Sequence, residues 1–248
     1  PAWLPWAVQS FFLIGISAMA FFLSLPGLVW QSAAWRGVSR RALLVALVCG
    51  LAAPVALLAD LHQPGRFMNF YLHANFGSWM AWGSFFIPLY LVGLLAYAWL
   101  ALRTQARGGI ALAALVAAAG AVLVLLYSGM ETMVVAARPL WHTPLVPLLF
   151  AVTALAGALG MTGLFASLAG QFAAAPLLNR WLRLSQWALL ALLAVWLGLA
   201  LTGVSASQRD ALASLHGGWT AAWIWFALSA ALTLWLARNA LWDGLGAA

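Results

Sequence analysis

The stretch RALLVALVCGLAAPVALLAD, from Arg41 to Asp60, decides the fold class. Between its charged ends it is apolar throughout, and its length matches the roughly 20 residues that an α-helix needs to cross a bilayer. Comparable runs flank it on both sides. The expected helices cover about 6–30, 41–60, 78–102, 110–130, 144–168, 185–204 and 219–240. The reading is therefore an all-α integral membrane protein, one polytopic bundle of about seven transmembrane helices spanning residues 1–248.

Composition agrees. Hydrophobic residues make up 66% of the chain, charged residues 6%, and mean hydropathy is +1.01. A soluble domain of this size needs more charge to cover its surface. The formal charge of +7 is no nucleic-acid signature, because every basic residue is arginine and these are scattered through loops. Cys49 is the single cysteine, which excludes an internal disulfide and a thiolate metal site. No histidine lies mid-span, which argues against a buried haem, and the absence of lysine excludes a retinal Schiff base. The first apolar stretch is too long and too aromatic for a cleaved signal peptide.

Loop charge predicts orientation. One edge collects Arg36, Arg40, Arg41, Arg103, Arg107, Arg180, Arg183 and Arg238; the other holds Arg66, Arg138 and Arg209, each near an acid. The positive-inside rule puts the first edge in the cytoplasm and the N-terminus outside, in an inner (cytoplasmic) membrane with its functional face periplasmic. Pro26, Pro54 and Pro88 fall inside spans and are expected to kink them, with the freed carbonyls satisfied by neighbours. Gly157, Gly160 and Gly163 are expected to let backbones approach.

The outer connections carry the chemistry. They include DLHQPGRFMNFYLHANFGSWMAW (60–82) and YSGMETMVVAARPLWHTP (127–144), and this edge gathers all four histidines and three of the four acids. Asp60 and Glu131 each close an apolar helix. They read either as structural partners of Arg66 and Arg138 or as proton-exchanging carboxylates at a redox site. Tyr127 and Glu131, four apart, share a helix face. With Trp141 and His142 they form the kind of pocket a quinone needs, an aromatic slot with hydrogen-bond and proton partners. A solitary tyrosine at a helix end is more often an interface anchor.

These segments resemble the NrfD/PsrC family, the quinone-reactive membrane subunits of polysulfide reductase-like complexes. Asp60, Leu61, Pro64, Arg66, Ser78, Trp79, Trp82 and Gly83 carry the likeness, with Tyr127-Ser128-Gly129 and the run from Pro139 to Leu148. WLPWAVQSFFLIGI (3–16), APVALLADLHQ (53–63) and AARPLW (136–141) look most like the tetrathionate reductase branch, whereas His142-Thr143-Pro144 follows the broader family. The family usually has eight or more spans, so the C-terminal end looks short.

The resemblance implies a membrane anchor and quinone-reactive subunit of a respiratory molybdenum oxidoreductase, not catalytic alone. It would exchange electrons between menaquinone or ubiquinone and an iron–sulfur subunit on the outer face, beside a molybdopterin catalytic subunit, with no haem or metal in this chain. Tyr127 would bond a quinone carbonyl, and Gln9 would serve the other side of the ring. Asp60, Glu131 and His142 would exchange protons, and Arg66 and Arg138 would hold them. The alternatives are a purely structural anchor and a small-molecule transporter, the latter disfavoured by uncharged mid-spans.

Overall fold

Eight α-helices follow one another through the described chain: α1 (Pro5–Leu28), α2 (Arg36–Asp60), α3 (Asn69–Leu72), α4 (Trp79–Arg103), α5 (Arg107–Met133), α6 (Leu145–Leu168), α7 (Ala175–Leu201) and α8 (Thr220–Arg238). The computed structural model describes residues 5–60, 64–103, 106–137, 141–170, 175–202, 209, 213 and 220–238; some side chains within these ranges, including those of Asp60 and Arg66, are not described. Six helices, α1, α2, α4, α5, α6 and α7, are long and apolar enough to cross a membrane. The expected seventh span corresponds to α8, whose 19 residues stand outside those six.

Two helices begin well before hydropathy suggests. Helix α2 starts at Arg36 instead of 41, and α7 at Ala175 instead of 185. Polar turns there read as loop, yet Pro176 suits a first helical turn. Arg180 is exposed while Leu178 and Asn179 are buried, so this turn is amphipathic and continues the helix.

Helix α1 lies innermost, packed on α2, α5 and α6, while α4 packs on α5 and α6 on α7. Its serines explain the register. Ser10, Ser17 and Ser24 recur every seven residues, two helical turns, and so form one stripe. The Ser10 hydroxyl donates to the Ala53 carbonyl at 2.9 Å and that of Ser17 to the Ala46 carbonyl at 2.7 Å. The hydroxyls of Tyr90 and Tyr97 on α4 meet Ser17 at 2.8 Å and Ser24 at 3.0 Å. Such bonds between membrane helices each stabilise by about 0.6 kcal/mol, so the seam fixes register more than it supplies energy.

Backbones approach closely where α4 meets α5. A Cβ at Gly120 would lie 2.6 Å from the Tyr90 Cα, and one at Gly93 would lie 2.7 Å from the Ala117 amide nitrogen. The glycines expected to do this on α6 do so less. Gly157 meets only the Ile16 side chain, and nothing lies near Gly160. Spacing alone could not say which small residues face a partner.

Pro88 shows how a span with an internal proline stays satisfied. Lacking N–H, it leaves the Ser84 carbonyl without its helical partner. The Tyr71 hydroxyl, from the outer connection, donates to that carbonyl at 2.7 Å. Burial pushes the Tyr71 phenol up from its ordinary pKa.

Candidate functional site

The last two turns of α5 carry Tyr127 and Glu131, both buried, at 5% and 7% exposure. Being four apart they stack on one face, and their side chains hydrogen-bond each other, the phenol donating to the carboxyl. The second carboxyl oxygen, Glu131 Oε2, is buried with no hydrogen-bond partner. A buried unpartnered carboxyl oxygen is costly.

Local packing explains why the sequence reads Tyr-Ser-Gly here. The Tyr127 ring lies against Gly83 of α4, where any Cβ would overlap it. Gly129 does the same for Pro147 of α6, and the Ser128 hydroxyl bonds back to the Val124 carbonyl at 2.9 Å. Tyr127 is thus clamped between α4 and α1, its ring 6.2 Å from that of Phe11.

Beside this pair opens a cavity of about 340 Å³ between α1, the end of α5 and the start of α6. Phe11, Phe12, Trp141 and Phe150 give it aromatic walls, and Thr132, next to Glu131, gives it a hydroxyl. Phe11 and Phe150 meet edge to face at 6.3 Å. Phe11 therefore both lines the cavity and covers Tyr127. The cavity is large enough for a substituted planar ring and is mostly apolar, its polar lining being Thr132 and Thr153.

The expected residues divide. Tyr127 and Glu131 are together but do not line the cavity, which they adjoin through Phe11 and Thr132; Trp141 lines it. His142 is exposed, and its Nδ1 donates to the Met133 carbonyl at 2.9 Å, which closes the end of α5. Gln9 is exposed on α1 and does not line the cavity. Asp60 ends α2 and Arg66 sits in the 3₁₀ turn Pro64–Met68, with neither side chain described, and Arg138 lies outside the described residues. Phe11, Phe12, Thr132 and Phe150 were missed, since a helical aromatic gives no sequence sign of facing a cavity. Among the described residues no group of three His, Cys, Asp or Glu converges to hold a metal.

The outer connection forms an aromatic cap over the start of α4. Phe67 and Phe85 meet Tyr71 at 5.5 and 5.4 Å, Phe76 meets Trp82 at 5.3 Å, and Trp82 Nε1 donates to the Phe76 carbonyl at 3.0 Å. The cap leaves Met68, Leu72 and Phe76 more than half exposed.

Known proteins bear on this arrangement. A tetrathionate reductase subunit of Salmonella typhimurium is 42% identical over 159 residues, which is 62% of this chain and 46% of that one. A selenate reductase subunit of Mesobacillus selenatarsenatis is 27% identical over 104 residues, covering 42% of this chain and 24% of its own length. The matches thus span less than half of those relatives. The family model described as "Polysulphide reductase, NrfD" matches residues 2–246. With that match over nearly its whole length, the chain belongs to the NrfD family of polytopic membrane proteins.

Proposed function

We propose that this chain is the membrane subunit of a respiratory oxidoreductase complex and holds its quinone site. The observation that carries the reading is the buried Tyr127–Glu131 pair, with one carboxyl oxygen unpartnered, beside an aromatic cavity at one end of the bundle. The residues fit a quinone: Phe11, Phe12, Trp141 and Phe150 line the cavity and suit the ring, and Tyr127 and Glu131, behind Phe11, suit its oxygens and protons. A quinone bound there supplies two-electron, two-proton chemistry. A swing of the Phe11 ring opens the Tyr127 hydroxyl to the cavity, and its one proton turns from Glu131 to a ring carbonyl. Glu131 holds or releases the proton at Oε2.

The reductase names of the relatives support a reductase partner; an iron–sulfur subunit seated over the aromatic cap would take the electrons and a molybdopterin subunit would use them. The cap side is periplasmic, by the arginine asymmetry, and the membrane is the inner one. Binding of a short-chain quinone to the purified chain tests this. Saturable thermal stabilisation is expected, and Trp141→Ala should weaken it. Absence of saturable binding leaves only a structural anchor.

A further inference from the structure

A second cavity, of about 410 Å³, lies between the α1–α2 turn and the start of α5. Arg107 begins α5 and Glu131 ends it, so this cavity sits at the opposite membrane edge, about 36 Å away along the helix. Its walls include Arg36, Arg40, Arg107 and Gln31, with Leu28 and Ile110 on the apolar side. Arg107 Nη2 donates to Gln31 Oε1 at 3.1 Å and ties α5 to the turn. Gln31 holds a φ of 56°, a left-handed backbone that few residues other than glycine adopt.

Three arginines line this cavity, and neither segment 27–41 nor segment 100–111 contains an acid. Trp35 packs on Trp181 at 6.3 Å, which brings the Arg180 and Arg183 turn of α7 to the same edge and adds positive charge. Such a concentration of charge calls for an anion. Trp30 and Trp99 are 69% and 60% exposed, and Arg103 stacks 4.5 Å over Trp99. These side chains mark the headgroup level of a bilayer. The anion that suits that level and an apolar wall is a lipid phosphate diester.

We propose that this cavity binds the headgroup of an anionic phospholipid. Arg36, Arg40 and Arg107 grip the phosphate oxygens, which the forked guanidinium geometry suits, and the Gln31 amide supports Arg107. This site is independent of the redox reading.

Native mass spectrometry of the full chain in detergent tests it, with phosphatidylglycerol, phosphatidylcholine and inorganic phosphate as probes. One phosphatidylglycerol should be retained at least tenfold more tightly than phosphatidylcholine. Arg36→Gln with Arg40→Gln should weaken it about thirtyfold, near fivefold per arginine, while Arg209→Gln should not. Arg36→Lys with Arg40→Lys, which keeps the charge, should fall between. If the double glutamine variant fails to fold, Arg107→Gln alone should cost about fivefold. Equal retention of the two lipids, or loss that ignores these arginines, overturns the proposal. Displacement by inorganic phosphate at equal concentration also overturns it, by making this a free-anion site.

Discussion

Gly83→Ala adds one methyl group and should damage the site without touching its chemistry. The new Cβ would overlap the Tyr127 ring and lie 2.7 Å from its hydroxyl oxygen. Ordinary contact is near 3.5 Å, so the ring must retreat by about 1 Å. Overpacking of this kind costs about 1–3 kcal/mol, which a bundle of this size should survive. The functional cost should be larger in proportion. A displacement of about 1 Å at a reacting group lowers rates on the order of a hundredfold. The assay is quinol oxidation by the assembled complex, with an electron donor feeding the catalytic subunit directly as control. Gly160→Ala is the matched substitution, since no atom lies within 4 Å of the added methyl. The expected outcome is loss of quinol-dependent rate in Gly83→Ala alone, with both variants normal on the direct donor. Wild-type quinol rates in fully assembled Gly83→Ala would refute the role given to Tyr127.

Tyr71→Phe should lower thermal stability by about 1 kcal/mol by orphaning the Ser84 carbonyl. Pro88→Ala, which restores the helical N–H, should remove most of that effect in a double-mutant cycle. Ser17→Ala leaves the fully buried Tyr90 hydroxyl without its partner and should destabilise by about 1–3 kcal/mol, measured by thermal unfolding. For topology, cysteines at Gly37 and Asn69, both exposed, in a Cys49→Ala background, should label from opposite sides with an impermeant reagent. Labelling from the same side would overturn the orientation.

The fold class was legible because apolar runs as long as Arg41–Asp60 have few physical options. Helix ends were less so. The Arg180–Arg183 turn belongs to a helix because one face of it is buried, and hydropathy averages that face away. Tyr127 and Glu131 were readable as a pair from spacing alone. The cavity walls were not, because Phe11 and Phe150 come from different helices and only tertiary packing makes them neighbours. His142 was readable as polar and near the site. Its bond to the Met133 carbonyl depends on how the chain turns after α5, which residue types do not encode. Serines spaced by seven on α1 were present in the sequence and carry the α1–α2 register, yet each is unremarkable until its partner is known.

The central claim is that Glu131 exchanges protons with a quinone bound beside it, and Glu131→Gln tests this most directly. The amide keeps an acceptor for the Tyr127 hydroxyl and nearly the same volume, so folding and assembly should persist. It cannot take up or release a proton at physiological pH. The measurement is steady-state quinol oxidation by the assembled complex, with direct-donor activity as the internal reference. The account predicts a fall in kcat of at least a hundredfold, little change in apparent KM, and an unchanged direct-donor rate. Equal quinol turnover in Glu131→Gln and wild type would contradict it and place proton exchange elsewhere.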